Sequence, residues 1–375
     1  MNDLDTLVIG AGPAGLSASH ALAARGINHL VLERGNQVGH TWAHLYDSLR
    51  LHTSKRLSSL PGLSFSRTTP RFPSRADLLA YLAQYAEAFR LPIETNTDVT
   101  ALARRGDSWI ATCATGREYR ARAVVVATGI VANPESASIP SRETFRGVVL
   151  HSAEYRRPDG FSGKRVVVVG AGNSAADIAV ELAQAGAVVT IAVRSGATVV
   201  PLLVAGVPIQ YLALVVNTLP SRWQRPVLTG FGKAAAFTRG APVLPPPQRS
   251  RCRNVPVIGF RLTDAIKSGA VRLKSGVAAF TRGGVVFSDR STQDCDVVIL
   301  ATGYRPALNL LGGAVRLDSC GFAERSDLVT SADQPDLYFV GHNYGIRGGL
   351  FNMRRDAALV ARKIRPRRSI SCRFV

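Results

Sequence analysis

The chain has 375 residues, 46% apolar and 19% charged, which is enough for two globular domains and carries no collagen, heptad or low-complexity signature. Its formal charge of +20 comes from 46 Lys plus Arg against 26 Asp plus Glu, scattered except for a terminal run of Arg362, Lys363, Arg365, Arg367 and Arg368. Such an excess draws nucleic acid, anionic lipid or a polyanionic cofactor alike; the scatter leaves no nucleic-acid footprint, and the run reads as a solvated tail. The five cysteines, Cys113, Cys252, Cys295, Cys320 and Cys372, include no CxxC pair, so no metal site is expected and all five read as reduced thiols. The first residues are acidic where a secretory leader is basic, which makes the cytoplasm the expected compartment.

In chain order, residues 6–9 read as a strand, 10–15 as a Gly-rich turn, 13–25 as a helix stopped by Gly26, and 29–33 as a second strand. The turn, GAGPAG, is chemically specific. Gly10 permits the sharp bend, Gly12 lets backbone approach a pyrophosphate, and Gly15 lets the helix pack on the strand, with Pro13 and Ala14 opening that helix toward the anion. Glu33, ending the second strand and followed by Arg34, is placed to accept hydrogen bonds from an adenosine ribose. Residues 76–89 carry an apolar face of Leu78, Leu79, Leu82, Tyr85, Ala86 and Phe89 and read as an amphipathic helix. Residues 124–129, VVVATG, suit a strand buried on both faces.

The plan then repeats. Residues 165–169, 170–175, 173–185 and 188–193 read again as strand, turn, helix and strand, with Gly186 as the stop, and residues 297–303, VVILATG, repeat the second apolar run. In GAGNSA, Gly170 and Gly172 take the same parts, Asn173 and Ser174 open the helix, and Ala175 is the small residue tolerated in third place. No acid ends the second strand; Arg194 and Ser195 stand there, which suits a 2′-phosphate and leaves a bare ribose without its acceptor. The pattern predicts an α/β protein with two doubly wound, Rossmann-like dinucleotide-binding domains. Residues 1–140 and 300–375 are expected to form a discontinuous FAD-binding domain, with an NADPH-binding domain, 145–299, inserted in it. Hydride passes only between stacked rings, so two dinucleotides in one chain imply a flavin in the first site and its reductant in the second.

Between about residues 197 and 255 the pattern breaks into an apolar insertion. Residues 199–219 are nearly long enough to span a bilayer, but Pro201, Pro208 and Gln210 interrupt them, so contact with a membrane surface is allowed and spanning is not expected. A last strand, 337–340, ends at Gly341 and precedes a helix at 353–364.

Phe145, Gly147, His151 and Tyr155, followed by Arg156, match FxGxxxHxxxY just before the second turn. On these residues the chain resembles the flavin-containing monooxygenases, the class B flavoprotein monooxygenases. Tyr then Arg is similar to the N- and S-oxygenating and YUCCA-type branches; the Baeyer–Villiger branch has Trp at the Tyr155 place. Gly39, Thr41 and Trp42 resemble the family's glycine-tryptophan segment beside the flavin, with His40 replacing a frequent second Gly. Residues 46–61 and 72–85, and the run Ala301, Thr302, Gly303 and Tyr304, are similar to the YUCCA-type proteins. His52 aligns where the oxygenating branch has Asn and the YUCCA-type proteins have His.

The resemblance implies that NADPH reduces FAD, that molecular oxygen adds to the reduced flavin, and that the resulting flavin peroxide passes one oxygen atom to a small, apolar organic substrate, by decarboxylation of a 2-oxo acid or by N- or S-oxygenation. His52, His151 and Tyr155 are the candidate catalytic residues, and Ala127, Gly129 and Gly341 join the two turns as cofactor contacts. Leu202, Leu203, Val204, Leu212 and Leu214 are candidates for a dry substrate wall. An NADPH-dependent flavin reductase or oxidase without oxygen transfer, and a non-catalytic redox-sensing flavoprotein, remain as alternatives.

Overall fold

The computed structural model describes residues 4–220, 222–223, 240–247, 255–343 and 348–366, in two compact units. The first is discontinuous, comprising the chain up to Ala43, Thr53–Asn133 and the chain from Arg305 onward; the second is His44–His52 with Pro134–Tyr304. The short segment His44–His52, which the sequence reading keeps inside the first domain, thus groups with the second.

In the first unit, strands β1 (Leu4–Ile9), β2 (His29–Leu32), β3 (Ile93–Glu94), β4 (Val99–Arg105), β5 (Ser108–Cys113) and β6 (Glu118–Val126) belong to a 7-stranded sheet in the order β3-β2-β1-β6-β5-β4. The β1 pairings with β2 and β6 and the β2 pairing with β3 are parallel, and β4 and β5 run antiparallel. Along its length β6 changes neighbour: Glu118 to Ala121 pair with β5, whereas Val124 to Val126 pair with the strand Leu337–Phe339. These three valines are fully buried, as a parallel strand covered on both faces requires.

Helix α1 (Pro13–Ala23) follows β1 directly, and α2 (Arg75–Ala88) starts at a capping box in which Ser74 Oγ accepts from the Asp77 amide at 3.1 Å while Asp77 Oδ2 accepts from the Ser74 amide at 2.9 Å. The buried face of α2 is Leu78, Tyr81, Leu82 and Tyr85, each side chain stabilising the unit by roughly 1.5–3 kcal/mol. The Tyr81 and Tyr85 hydroxyls donate to the Leu63 and Pro61 carbonyls, which pins the turn between them to the helix. The last helix, Gly349–Lys363, begins earlier than expected and packs on α1.

In the second unit, β7 (Val148–His151), β8 (Arg165–Val169), β9 (Val188–Val193), β12 (Val271–Ser275) and β13 (Val297–Leu300) form a parallel sheet in the order β12-β9-β8-β13-β7; β10 (Leu203–Val204) and β11 (Val207–Pro208) lie outside it as a hairpin. On one face, Val166, Val168 and Ile299 pack with Ile178, Ala179 and Leu182 of α3 (Asn173–Gln184). On the other, Val167 and Val298 pack with Phe280, Val285 and Phe287 of an antiparallel three-stranded meander. The insertion is more regular than its sequence suggests. It holds the β10–β11 hairpin and α4 (Ile209–Thr218), and its strand Val199–Val200 pairs with Val257–Ile258.

Both sheets change direction of winding beside the strand that runs into the Gly-rich turn, β1 lying between β2 and β6 and β8 between β9 and β13. In open α/β sheets the crevice at such a switch point, off the carboxyl ends of the strands, is where ligands bind. Among the described residues no helix is long and apolar enough to cross a membrane. Cys113 and Cys295 are free and buried, but Cys320 is disulfide-bonded, which departs from the reading of five reduced thiols.

Candidate functional site

The two Gly-rich turns occupy the two switch points with one backbone geometry. Gly10 has φ +103° and a Cβ on it would lie 2.7 Å from the Ala127 carbonyl oxygen; Gly170 has φ +134° and a Cβ would lie 2.3 Å from the Ala301 carbonyl oxygen. Each Ala-Thr-Gly run therefore packs directly on the turn of its own unit, which explains why the motifs occur as pairs. A Cβ at Gly15 would fall 1.8 Å from the Gly10 carbonyl oxygen, so helix and turn touch backbone to backbone; the matching Ala175 is fully buried. By contrast a Cβ at Gly12 or Gly172 meets nothing within 4 Å.

Those two open glycines are the N-caps of α1 and α3. Neither makes a side-chain capping bond, and neither helix has an acid in its first turn. The leading N–H groups and the positive end of each helix dipole therefore face open space, the arrangement that binds a pyrophosphate. Gly129 and Gly303, at φ +82° and +99°, likewise leave the ends of their Ala-Thr-Gly runs clear.

What stands at the end of the second strand differs. Buried Glu33 is held with Oε2 accepting from the Ala11 amide at 2.6 Å and Oε1 from the Gly35 amide at 3.0 Å, leaving lone pairs for a ribose. The Gly10 amide donates to the Leu32 carbonyl, as the Gly170 amide donates to that of Ala192, so Val193 occupies the place of Glu33 and Arg194 that of Arg34. Val193 is buried and apolar, while Arg194 and Arg34 are exposed and Ser195 is half-buried. Gly276 lets Arg194 lie close, since a Cβ there would come within 2.9 Å of the Arg194 Cβ.

Asn173 and Ser174 open the second helix. The Asn173 side chain pairs with backbone, Nδ2 donating to the Pro256 carbonyl at 3.0 Å and Oδ1 accepting from the Ile258 amide at 2.9 Å, and so ties the return of the insertion to the second turn. Ser174 is half-buried in the first turn of α3. Pro13 and Ala14 are buried at the start of α1, and Thr41 and Trp42 sit half-buried on the short helix His40–Ala43. Gly341, at φ +85°, brings the end of the last strand against α1, a Cβ there lying 3.1 Å from that of Ala14. Its amide donates to buried Asp356, which also accepts from Asn343, and burial pushes the Asp356 carboxyl up.

His151 ends β7, in register with Leu300, and its ring meets that of Tyr304 edge-on at 5.2 Å. Its Nδ1 accepts from the Ala153 amide and its Nε2 is buried without a hydrogen bond of good geometry. Burial lowers its pKa, against weaker upward pulls from the Gly303 backbone and Glu154. The Thr302 hydroxyl donates to the Glu135 carbonyl, fixing the loop beside it.

Tyr155 and His52 both turn toward the acidic side of α3. Tyr155 is fully buried and its hydroxyl donates to Glu181 Oε2 at 2.9 Å, a structural employment. One turn earlier, Asp177 Oδ2 accepts from the Tyr46 hydroxyl at 2.9 Å and lies 3.7 Å from His52 Nε2. Burial lowers the His52 pKa, Asp177 opposes that, and Arg261 adds to it. Gln210 of α4 donates to the His52 carbonyl at 2.7 Å. The sequence reading missed Tyr46, Asp177, Glu181 and Gln210; the one available signal was the spacing of the two acids, which puts both on one helix face.

The sequence model of the pyridine nucleotide-disulphide oxidoreductase family matches residues 7–200. An indole-3-pyruvate monooxygenase, YUCCA1, of Oryza sativa subsp. japonica is 33% identical over 359 residues, covering 87% of this chain and 88% of its own. The solved flavin-containing monooxygenase of Stenotrophomonas maltophilia superposes with a TM-score of 0.77 at 27% identity, covering 97% of this chain and 98% of that one. A bacillithiol disulfide reductase of Staphylococcus aureus, at 19% identity and TM-score 0.71 over 97% of this chain and 98% of its own, shares the fold.

Proposed function

We propose, on the premise that this chain belongs to the flavin-containing monooxygenase family in its YUCCA-like branch, that it takes FAD at the Gly10 turn and NADPH at the Gly170 turn and oxygenates a small, apolar organic substrate. It is a flavoprotein monooxygenase that draws on a nicotinamide dinucleotide. The observation that carries the assignment of sites is the pair of uncapped helix N-termini behind Gly12 and Gly172, each with room for a pyrophosphate where a side chain would otherwise stand. Bound FAD, reduced by NADPH, supplies the redox chemistry that puts one atom of molecular oxygen into the substrate while the other leaves as water.

The chain's own work is binding, orientation and exclusion of water. At the first site the α1 N–H groups hold the pyrophosphate, Glu33 accepts from the ribose, and Gly341 with Ala127 and Gly129 shapes the far side. At the second site α3 does the same, while Val193 offers a ribose no acceptor and Arg194 with Ser195 meets a 2′-phosphate, which selects NADPH over NADH. His151 and Tyr304 flank the switch-point crevice where the nicotinamide half of that dinucleotide is expected. His52 lies beside Asp177, whose carboxylate the Tyr46 hydroxyl fixes in place. The half-buried Leu202, Val204, Leu212 and Leu214 keep water from the reaction; Leu203 is exposed and leaves that group.

The first substrates to test are aromatic 2-oxo acids, since the relatives of this chain include an indole-3-pyruvate monooxygenase and His52 matches the YUCCA-type pattern. With holoenzyme and indole-3-pyruvate, decarboxylated product should form in equal amount to NADPH consumed, with little hydrogen peroxide. Peroxide equal to NADPH with every 2-oxo acid, amine and sulfide tried would make the chain an oxidase and end this reading.

A further inference from the structure

Between Val199 and Pro220 there is no charged side chain, although the chain as a whole carries +20. The centre of this stretch is the β10–β11 hairpin, in which Val204 pairs with Val207 and Leu203 with Pro208. Its two turn residues, Ala205 and Gly206, both have positive φ, +48° and +76°. Two-residue hairpins of that geometry favour Asn-Gly or Asp-Gly, because Asn, Asp and Gly reach the left-handed region at low cost and an alanine does not. An exposed tip of a water-facing hairpin has every reason to be polar. Here the turn is strained and apolar instead, and the strands on either side of it expose Leu203 (41%) and Val207 (40%).

α4 follows β11 directly and adds a further exposed apolar side chain, Val215 at 61%. Beyond α4, Trp223 is 54% exposed and its neighbour Arg222 is exposed too. The root of the same element is firmly held. Pro208, Gln210 and Val216 are buried, Gln210 donates to the His52 carbonyl, and the pairing of Val199–Val200 with Val257–Ile258 is clamped by Asn173. A rigid root beneath a projecting apolar tip, finished by Trp and Arg on a strongly cationic protein, is the chemistry of an interfacial anchor on anionic lipid. α4 has 10 residues, far too few to cross a bilayer.

We propose that the exposed tip residues Leu203, Ala205, Gly206 and Val207, with Val215 and Trp223, form a docking surface for a bilayer that bears anionic headgroups. The tip enters the headgroup and upper acyl region, Trp223 sits at the interface, and Arg222 with the net positive charge meets the headgroup phosphates.

The test uses holoenzyme and sedimentation with large unilamellar vesicles of phosphatidylcholine, with and without phosphatidylglycerol. Wild type should sediment with the mixed vesicles and bind the neutral ones roughly tenfold or more weakly, given the charge term. Ala205→Asp suits the left-handed backbone, so it folds, yet it places a carboxylate at the tip; with Val207→Asp it should weaken binding to mixed vesicles roughly tenfold or more while NADPH turnover in free solution stays unchanged. Trp223 emission should shift to the blue on mixed vesicles, read as the difference between wild type and Trp223→Phe. Failure of wild type to bind mixed vesicles overturns the proposal, and so does binding that both carboxylate variants leave intact. Loss of a lipid-free dimer in Ala205→Asp, seen by sedimentation velocity, would assign the tip to a second copy of the chain instead.

Discussion

The two Gly-rich turns are nearly the same object built twice, and they differ at one place that decides what each can hold. Backbone, helix dipole and the packing of an Ala-Thr-Gly run on the first glycine are shared. The end of the second strand is not: an acid fixed by two backbone amides in the first unit, a buried valine followed by an exposed arginine in the second. A pyrophosphate site is thus a property of chain path and can be duplicated wholesale, whereas the choice of nucleotide rests on the charge of one or two side chains.

The largest effect should come from filling the open glycines. Gly12→Asp puts a carboxylate where the first pyrophosphate belongs, so the purified variant should be colourless, with the flavin-to-protein absorbance ratio near zero even after incubation with FAD. Gly172→Asp should stay yellow and lose reduction by NADPH. If both variants lost the flavin, or neither did, the assignment of one dinucleotide to each turn would be wrong. Neither glycine is needed for packing, since a Cβ at either meets nothing, so loss of fold is not the expected outcome.

A smaller effect tests the difference itself. Arg194 is exposed and serves no packing role that Ala would destroy, so its worth lies in the ligand. Removing a charge-assisted bond worth about 1.5–3 kcal/mol should raise the KM for NADPH roughly 10- to 150-fold in Arg194→Ala. The KM for NADH, which has no 2′-phosphate, should hardly move. Equal changes for both would return Arg194 to the status of a solvated strand end.

How much of this could be read before the structure follows from the range of the interactions. The turns, the paired Ala-Thr-Gly runs and the α/β alternation are local, because glycine spacing and β-branched runs report their own backbone. The helix at Arg75–Ala88 was also visible, although Tyr81 replaces Leu79 on the buried face because its hydroxyl reaches the Leu63 carbonyl. Asn173 stands at the start of the second helix, where spacing alone places it; the partners of its side-chain amide, Pro256 and Ile258, lie beyond a long insertion that periodicity cannot thread. For the same reason His52 could be singled out by resemblance, while Asp177 and Tyr46 beside it could not. The hairpin tip was noticed only as a run of apolar residues, since nothing in the letters says that Ala205 takes a positive φ.

The smallest effect separates the units by their histidines. In the second unit His52 and His151 keep charged neighbours, Asp177 and Glu154, that partly offset burial. In the first, His342 is wholly enclosed, its ring edge-on to Phe322, and neither ring nitrogen has a partner. Burial, with help from Arg325, lowers its pKa from 6.5 to about 3. Between those values the unfolded chain takes up a proton that the folded chain refuses, so stability is lost as pH falls below 6.5 and continues to fall until about pH 3. At about 1.4 kcal/mol per pH unit, His342 alone should cost the fold roughly 2 kcal/mol at pH 5 relative to pH 7. His342→Phe fills the same aromatic niche without a titrating group, so its urea midpoint should fall less than that of wild type between pH 7 and pH 5. An identical drop in the two proteins would mean that His342 finds a proton acceptor or water in solution, and that the acid sensitivity belongs to the second unit's histidines instead.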